Sequence, residues 1–234
     1  YAYNVFQFGT IAAAIGNYVI TGNQIRFTNY GVYNVLEYVK DSLGATANSF
    51  NSIITVNVLP TIVIAPTSQT ISVGGSVAFT NTVSGGTPPY LQYTYNVFQF
   101  GSAASAVGNY VITGNTIQFT NTGTFNVVET VADSSQWAPY IANTVNAIIT
   151  VTPTLTITLS PTSNAIDMGQ NVIFTNTVAG GQAPYSQYAY NVFQFGTIAA
   201  AIGNYVITGN QIRFTSYAVY NVREYVTDSV GAPA

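Results

Sequence analysis

Apolar and polar residues alternate along this chain in short runs of five to nine, rich in Val, Ile, Thr, Tyr and Phe. Clusters of Gly, Pro, Asn and Ser separate the runs. Period two marks a strand with one buried face, because successive side chains of an extended backbone point to opposite sides. Between residues 60 and 152 the pattern predicts strands over 61–65, 70–73, 76–83, 91–100, 110–113, 116–120, 124–132 and 144–152. Gly114-Asn115 separates two of them by two residues, which signals a tight hairpin. No segment carries a convincing helical period; at most 102–107 forms one short turn. The alternation puts Val77, Phe79 and Val83 on one core face and Phe125, Val127 and Val131 on another.

The chain repeats itself. Tyr-Asn-Val-Phe-Gln-Phe-Gly begins at Tyr3, Tyr95 and Tyr190, and Gly-Asn-Tyr-Val-Ile-Thr-Gly-Asn begins at Gly16, Gly108 and Gly203. Residues 1–28 and 188–215 are identical, and the middle copy carries a short insertion around Trp137. The repeats divide the chain into 1–59, a partial copy lacking its first strands; 60–152, a complete copy; and 153–234, a partial copy lacking its last strand. Aligned copies sharpen the faces. Tyr33/Phe125/Tyr220 and Val35/Val127/Val222 keep their apolar character and are expected inside. Leu36/Val128/Arg223 and Lys40/Ala132/Thr227 do not, and are expected to face solvent. About seven strands in each copy suit an all-β fold of tandem antiparallel β-sandwiches. Junctions are short: Leu59-Pro60 and Pro153 join successive copies, and Pro stiffens such a joint by fixing φ. A semi-rigid rod is the expected form. The copies at either end are incomplete, so 1–234 is expected to be a window on a longer chain. The alternative is completion of the end copies by strands from neighbouring subunits.

Gly75-Ser-Val-Ala-Phe-Thr, Gly85-Gly-Thr-Pro-Pro-Tyr, Gly123-Thr-Phe-Asn-Val and Val131-Ala-Asp-Ser resemble the tandem immunoglobulin-like or PKD-like domains of microbial, especially archaeal, surface proteins. The resemblance covers essentially the whole chain. It implies Ig-like sandwiches in an extracellular or cell-surface filament, or in an adhesin or surface-layer stalk. It is specific for fold and weak for function.

Composition then narrows the chemistry. The 234 residues include no Cys, no His, one Met and one Trp, and only 5% are charged. Disulfides, thiol nucleophiles and His-based acid–base pairs are excluded. Four basic residues and a net charge of −3 exclude a nucleic-acid surface. The longest apolar runs are about five residues, against about 20 for a spanning helix. With Lys40 the only lysine, an isopeptide staple is excluded from the middle copy. No cofactor and no enzymatic activity are expected. The expected partner is a further copy of the chain, with exposed tyrosines keeping glycans open as ligands. Few titratable groups predict a weak dependence of stability on pH.

One ionisable pattern repeats: Glu37/Asp41, Glu129/Asp133 and Glu224/Asp228. Four residues along a strand span about 13 Å, too far for both carboxylates to hold one ion. The Asp opens a loop and is expected to accept backbone N–H bonds. The Glu shares a face with core valines and is expected at the sandwich edge with a Tyr or Asn partner. Burial in protonated form and Ca²⁺ binding by Glu129, Asp133 and Asp167 are the alternatives.

Overall fold

The computed structural model describes residues 2–10, 13–135, 139–197 and 200–231; Trp137 lies outside them. Every regular element among the described residues is a strand, so the chain is all-β. It divides into two compact units. One comprises Tyr1–Val63, Asn81–Thr94 and Glu129–Val145, the other Ile64–Thr80, Tyr95–Val128 and Asn146–Ala234.

In the first unit Gly31–Lys40 is the central strand. It pairs antiparallel with Ala2–Gln7, with Ser52–Val56 along Gly31–Val35, and with Thr46–Asn48 along Tyr38–Lys40. A hairpin of Tyr18–Thr21 and Gln24–Phe27 forms a second layer. Between the layers lie Val5, Ala14, Tyr33 and Val35, with Tyr18, Ile25, Phe27 and Ile54 packed on them. Tyr33 seals this core with its hydroxyl, which donates to the carbonyl of Asn29 at 3.1 Å. A second cluster joins Ile62, Val131 and Ala142 to Val83 and Tyr90.

The second unit holds the largest core, built from Ile64, Val77, Phe79, Val97, Ile117, Phe119, Phe125, Val127 and Ile149 among others. Side chains from two sheets meet in it. One sheet runs in the order Leu91–Gln99, Gly123–Ala132, Ala147–Thr152, Ser68–Ser72, and its last pair is parallel. The other runs Tyr110–Thr113, Thr116–Phe119, Ser76–Ala78, and Thr61–Ala65 pairs with Thr80–Ser84. Counting 61–65 with 68–72, 76–78 with 80–84, and 141–143 with 147–152 as one interrupted strand each, the first, second, fifth and fourth share one layer and the third, sixth and seventh the other, with 68–72 of the first crossing to the latter. That is the strand order of an immunoglobulin-type sandwich. The same unit repeats the scheme around Val172, Phe174, Val192, Ile212 and Phe214. Its strands are Thr156–Ser160, Asn171–Ile173, Thr175–Ala179, Ser186–Gln194, Tyr205–Thr208, Gln211–Phe214 and Tyr220–Thr227.

Four sequence expectations are corrected by local chemistry. The run 76–83 breaks at Phe79, because the hairpin residue Asn115 captures its backbone. The Phe79 N–H donates to the Asn115 carbonyl at 2.8 Å, and Asn115 Nδ2 donates to the Phe79 carbonyl at 2.9 Å. Phe174 and Asn210 repeat the exchange. The run 144–152 breaks because Thr144 turns back to Glu129. Its N–H donates to the Glu129 carbonyl, and its Oγ1 accepts from the Glu129 N–H, each at 2.9 Å. Ala132, expected in solvent, is buried: it pairs with Ile141 beside the loop that closes on Asp133. The segment 102–107 contains no helix; Ser105 bridges to Phe98 instead.

Candidate functional site at the repeat junctions

The aspartate of each repeated pair ends the strand that contains the glutamate, where the chain must turn. Asp133 is buried. Its Oδ2 accepts the Thr87 N–H at 3.1 Å, and its Oδ1 accepts the N–H groups of Tyr140 at 2.8 Å and Ser135 at 3.3 Å. The Ser135 hydroxyl donates to the same oxygen at 2.6 Å. Burial pushes the Asp133 carboxyl upward. The Ser135 hydroxyl and the N–H donors of Tyr140, Thr87 and Ser135 outweigh it and hold the carboxyl below its ordinary value of 3.8.

The loop that Asp133 captures begins with Gly85-Gly86, and there the glycines are required. Both have positive φ, and a Cβ on Gly85 would collide with the Leu59 carbonyl. A Cβ on Gly86 would lie 2.9 Å from Pro60 Cβ and 3.2 Å from Asp133. The Gly86 N–H donates to the Val58 carbonyl at 2.7 Å, and Asn57 Nδ2 donates to Thr87 Oγ1 at 2.9 Å. Tyr90 closes the loop by donating its hydroxyl to the Gly85 carbonyl. The linker 57–60, the glycine loop and the carboxylate therefore form one knot.

The knot recurs around Asp228, which is also buried. Its Oδ2 accepts the Gln182 N–H at 3.0 Å, the Gly181 N–H donates to the Pro153 carbonyl at 2.8 Å, and the Tyr185 hydroxyl donates to Gly180 at 2.7 Å. Ser134 and Ser229 perform one task, each donating N–H and hydroxyl to the carbonyls of Thr87 and Gln182 respectively. In the first copy Asp41 is exposed, and among the described residues its donors are Leu43 and Ala45 of its own turn, at 2.9 and 2.8 Å. The expected N–H role thus holds in all three copies, but two of them add a linker.

The glutamates sit one turn of pleat away and make a different contact. Glu129 is buried on the face of Val127 and Val131, as its parity requires, and Asn81 Nδ2 donates to its Oε1 at 2.8 Å. Asn176 donates to Glu224 at 2.9 Å, and Tyr190 stands opposite Glu224 in the ladder. Burial, then the charge of Glu224, then their hydrogen bond push the Tyr190 hydroxyl above its ordinary 10.0. Glu37 faces Tyr3 in the same register. Asp167, by contrast, is an exposed turn residue of the second unit, where its N–H donates to Gln170 Oε1 at 3.0 Å. Glu129 and Asp133 belong to the first unit. The described residues contain no cluster of three or more His, Cys, Asp or Glu side chains. Among the described residues no helix is long and apolar enough to cross a membrane.

An Asn partner for the glutamate was expected from sequence, but not that it is Asn81 or that Glu129 is buried, and the Gly85-Gly86/Asp133 contact was not foreseen. The available signal was equal spacing: Asn81-Thr-Val and Asn176-Thr-Val precede their glutamates by the same 48 residues.

No protein-family model matches the sequence, and no curated protein does. Among solved structures the chain is similar to three N-terminal domains of the bacteriophage RB49 Highly Immunogenic Outer Capsid protein. That match has 13% identity over 96% of this chain and 80% of that one, with a TM-score of 0.45. It is also similar to extracellular domains 3–5 of Drosophila OTK, at 13% identity over 98% and 81%, TM-score 0.34. The N-terminal four Ig domains of Dscam1 match at 14% identity over 98% and 62%, TM-score 0.31. The immunoglobulin-type assignment stands on this chain's own strand order.

Proposed function

We propose that the chain is a non-catalytic segment of an extracellular or cell-surface filament made of tandem Ig-like domains, of the microbial surface type its motifs resemble. Its domains are 1–59, 60–152 and 153–234, the first and last being partial copies. The observation that carries this reading is the junction knot. A buried carboxylate and two obligatory glycines clamp the linker at 57–60, and an equivalent set clamps Pro153. Such contacts restrict the bending that a free linker would allow, which is the property a load-bearing fibre needs. The repeated carboxylates are committed to backbone N–H groups and to Asn side chains, so the cluster reads as architecture. The test is electron microscopy of the native material bearing this sequence. Ordered filaments with an axial repeat of one or two domains are expected; isolated flexible stalks would overturn the reading in favour of an adhesin or surface-layer stalk.

A further inference from the structure

One strand recurs in all three copies, covered in two of them and bare in the third. In the middle copy Ala147–Thr152 lies between two partners, antiparallel to 123–127 and parallel to Ser68–Ser72. Its Ala147, Ile149 and Val151 are buried, and so are Phe125 and Val127 beneath them. In the first copy Ser52–Val56 covers 31–35 in the same register, and Tyr33 and Val35 are buried. In the last copy the equivalents are Tyr220 and Val222, and both are only half-buried. Among the described residues Tyr220–Thr227 is paired on one side only, with Ser186–Gln194. The segment 163–167, which aligns with Ser68–Ser72, forms no strand. A groove of about 610 Å³ opens here, lined by Leu159, Ile166, Phe174, Phe214, Tyr220 and Val222 among others.

We propose that this groove accepts an added strand: an extended, uncharged segment with a small or aliphatic residue at every second position, of the type Ala-Ile-Ile-Thr-Val. The two covered copies identify that occupant. Both covering strands contain Ile-Ile-Thr-Val, at Ile53–Val56 and Ile148–Val151, and neither carries a charge. The acceptor is already formed. Tyr220 donates its hydroxyl to the Ser216 carbonyl at 2.9 Å, as Tyr33 donates to Asn29 at 3.1 Å. Val222 faces Val192 across its ladder, as Val35 faces Val5. An acceptor shaped without its occupant spares the cost of ordering it on binding. The added strand gains backbone hydrogen bonds from 218–222 and from 163–167, and its alternate side chains fill the groove. A charge at one of those inward positions would be buried without a partner. The groove itself is apolar inside, with Asp167 its one charged lining residue, exposed at the rim. None of this depends on the filament reading, since a stalk of the same repeats would carry the same groove.

The probe is a fluorescein-labelled peptide, Val-Asn-Ala-Ile-Ile-Thr-Val-Thr, which is the sequence of residues 145–152. It is titrated with the unaltered 234-residue chain and followed by fluorescence anisotropy. Two peptide variants use the parity of the strand, so that the folding of the chain is never at issue. Ile149→Glu changes a position that is fully buried in the middle copy, and Ile148→Glu changes one that is 38% exposed there. The expected result is saturable binding of the parent peptide and of Ile148→Glu, and binding at least about tenfold weaker for Ile149→Glu. Hydrogen exchange of the chain, read by mass spectrometry, should slow in 163–167 and 218–222 when the parent peptide is bound. The already paired 123–127 should not change. No binding of the parent peptide, equal weakening by the two substitutions, or protection confined to other strands would each overturn the proposal. Any of these would leave the filament reading standing, and flexible stalks in the microscope would leave the groove standing.

Discussion

Replacing Asp133 by Ala isolates the junction knot, because Asp41 supplies a matched control in the same molecule. Asp133→Ala removes an acceptor that takes three N–H donors and a hydroxyl in a buried site. Hydrogen bonds to a charged group contribute roughly 1.5–3 kcal/mol each, and a donor stranded without water costs about 1–3 kcal/mol. The terms do not add, since Tyr140 is exposed and its N–H can rehydrate. A net loss of about 3 kcal/mol is expected, within the upper range for a broken buried network. Asp41→Ala removes two turn bonds in an exposed loop, for which about 1 kcal/mol or less is expected. The assay is urea unfolding of the 234-residue chain, followed by the fluorescence of its only tryptophan, Trp137, which lies in the middle copy. With a slope near 2 kcal/mol per molar urea, Asp133→Ala should lower the midpoint by about 1.5 M. A midpoint shift no larger than that of Asp41→Ala would refute the reasoning, because the two carboxylates would then be equivalent turn caps.

The Asp133 carboxyl titrates below its ordinary 3.8 in the fold, so the unfolded chain binds its proton more readily, and the group stabilises the fold fully above that value. Stability of the wild type relative to Asp133→Asn should be constant from about pH 5 to 8 and should shrink as pH falls through the lowered folded value; calorimetry that shows a constant difference down to pH 2 contradicts this. Gly181→Ala places a Cβ 2.8 Å from Leu155 Cδ1 and 3.0 Å from Asp228 at a φ of +63°, whereas Gly209→Ala, at +60°, meets nothing within 4 Å. Both cost about 1–2 kcal/mol of left-handed strain, and Gly181→Ala adds about 1–3 kcal/mol of overpacking; equal melting temperatures for the two variants would remove the steric part of the knot.

Much of the fold was legible because period two and turn residues are local signals. Val77, Phe79, Phe125, Val127 and Val131 were placed by alternation, and all but Val83 of the two predicted faces are fully buried. Misplaced strand ends have a shared cause. Phe79 and Thr144 look like strand interior, yet partners 36 and 15 residues away capture their backbone groups. Alternation carries no information about such bonds. The junction was only half legible. Asp133 announces a turn, but its three backbone donors come from residues 87, 135 and 140, and only the first lies outside its own loop. That one long-range bond converts a turn cap into a clamp. The same limit hid Ala132, whose burial follows from the chain folding over both sides of a strand end.

The scarcity of charge takes on meaning once the carboxylates are located. Six of the seven acidic residues are the three Glu/Asp pairs, and Asp167 is the seventh. The buried members, Glu129, Asp133 and Asp228, are placed where backbone N–H or Asn donors need a strong acceptor. The rest of the surface relies on Asn, Thr, Ser and Tyr, which bind water without repelling a neighbouring copy. Asp133 clamps the linker 57–60 as a carboxylate, and its proton is taken up only below the ordinary 3.8. Acid that protonates it should therefore loosen this junction while the apolar cores, which carry no group that titrates in acid, hold.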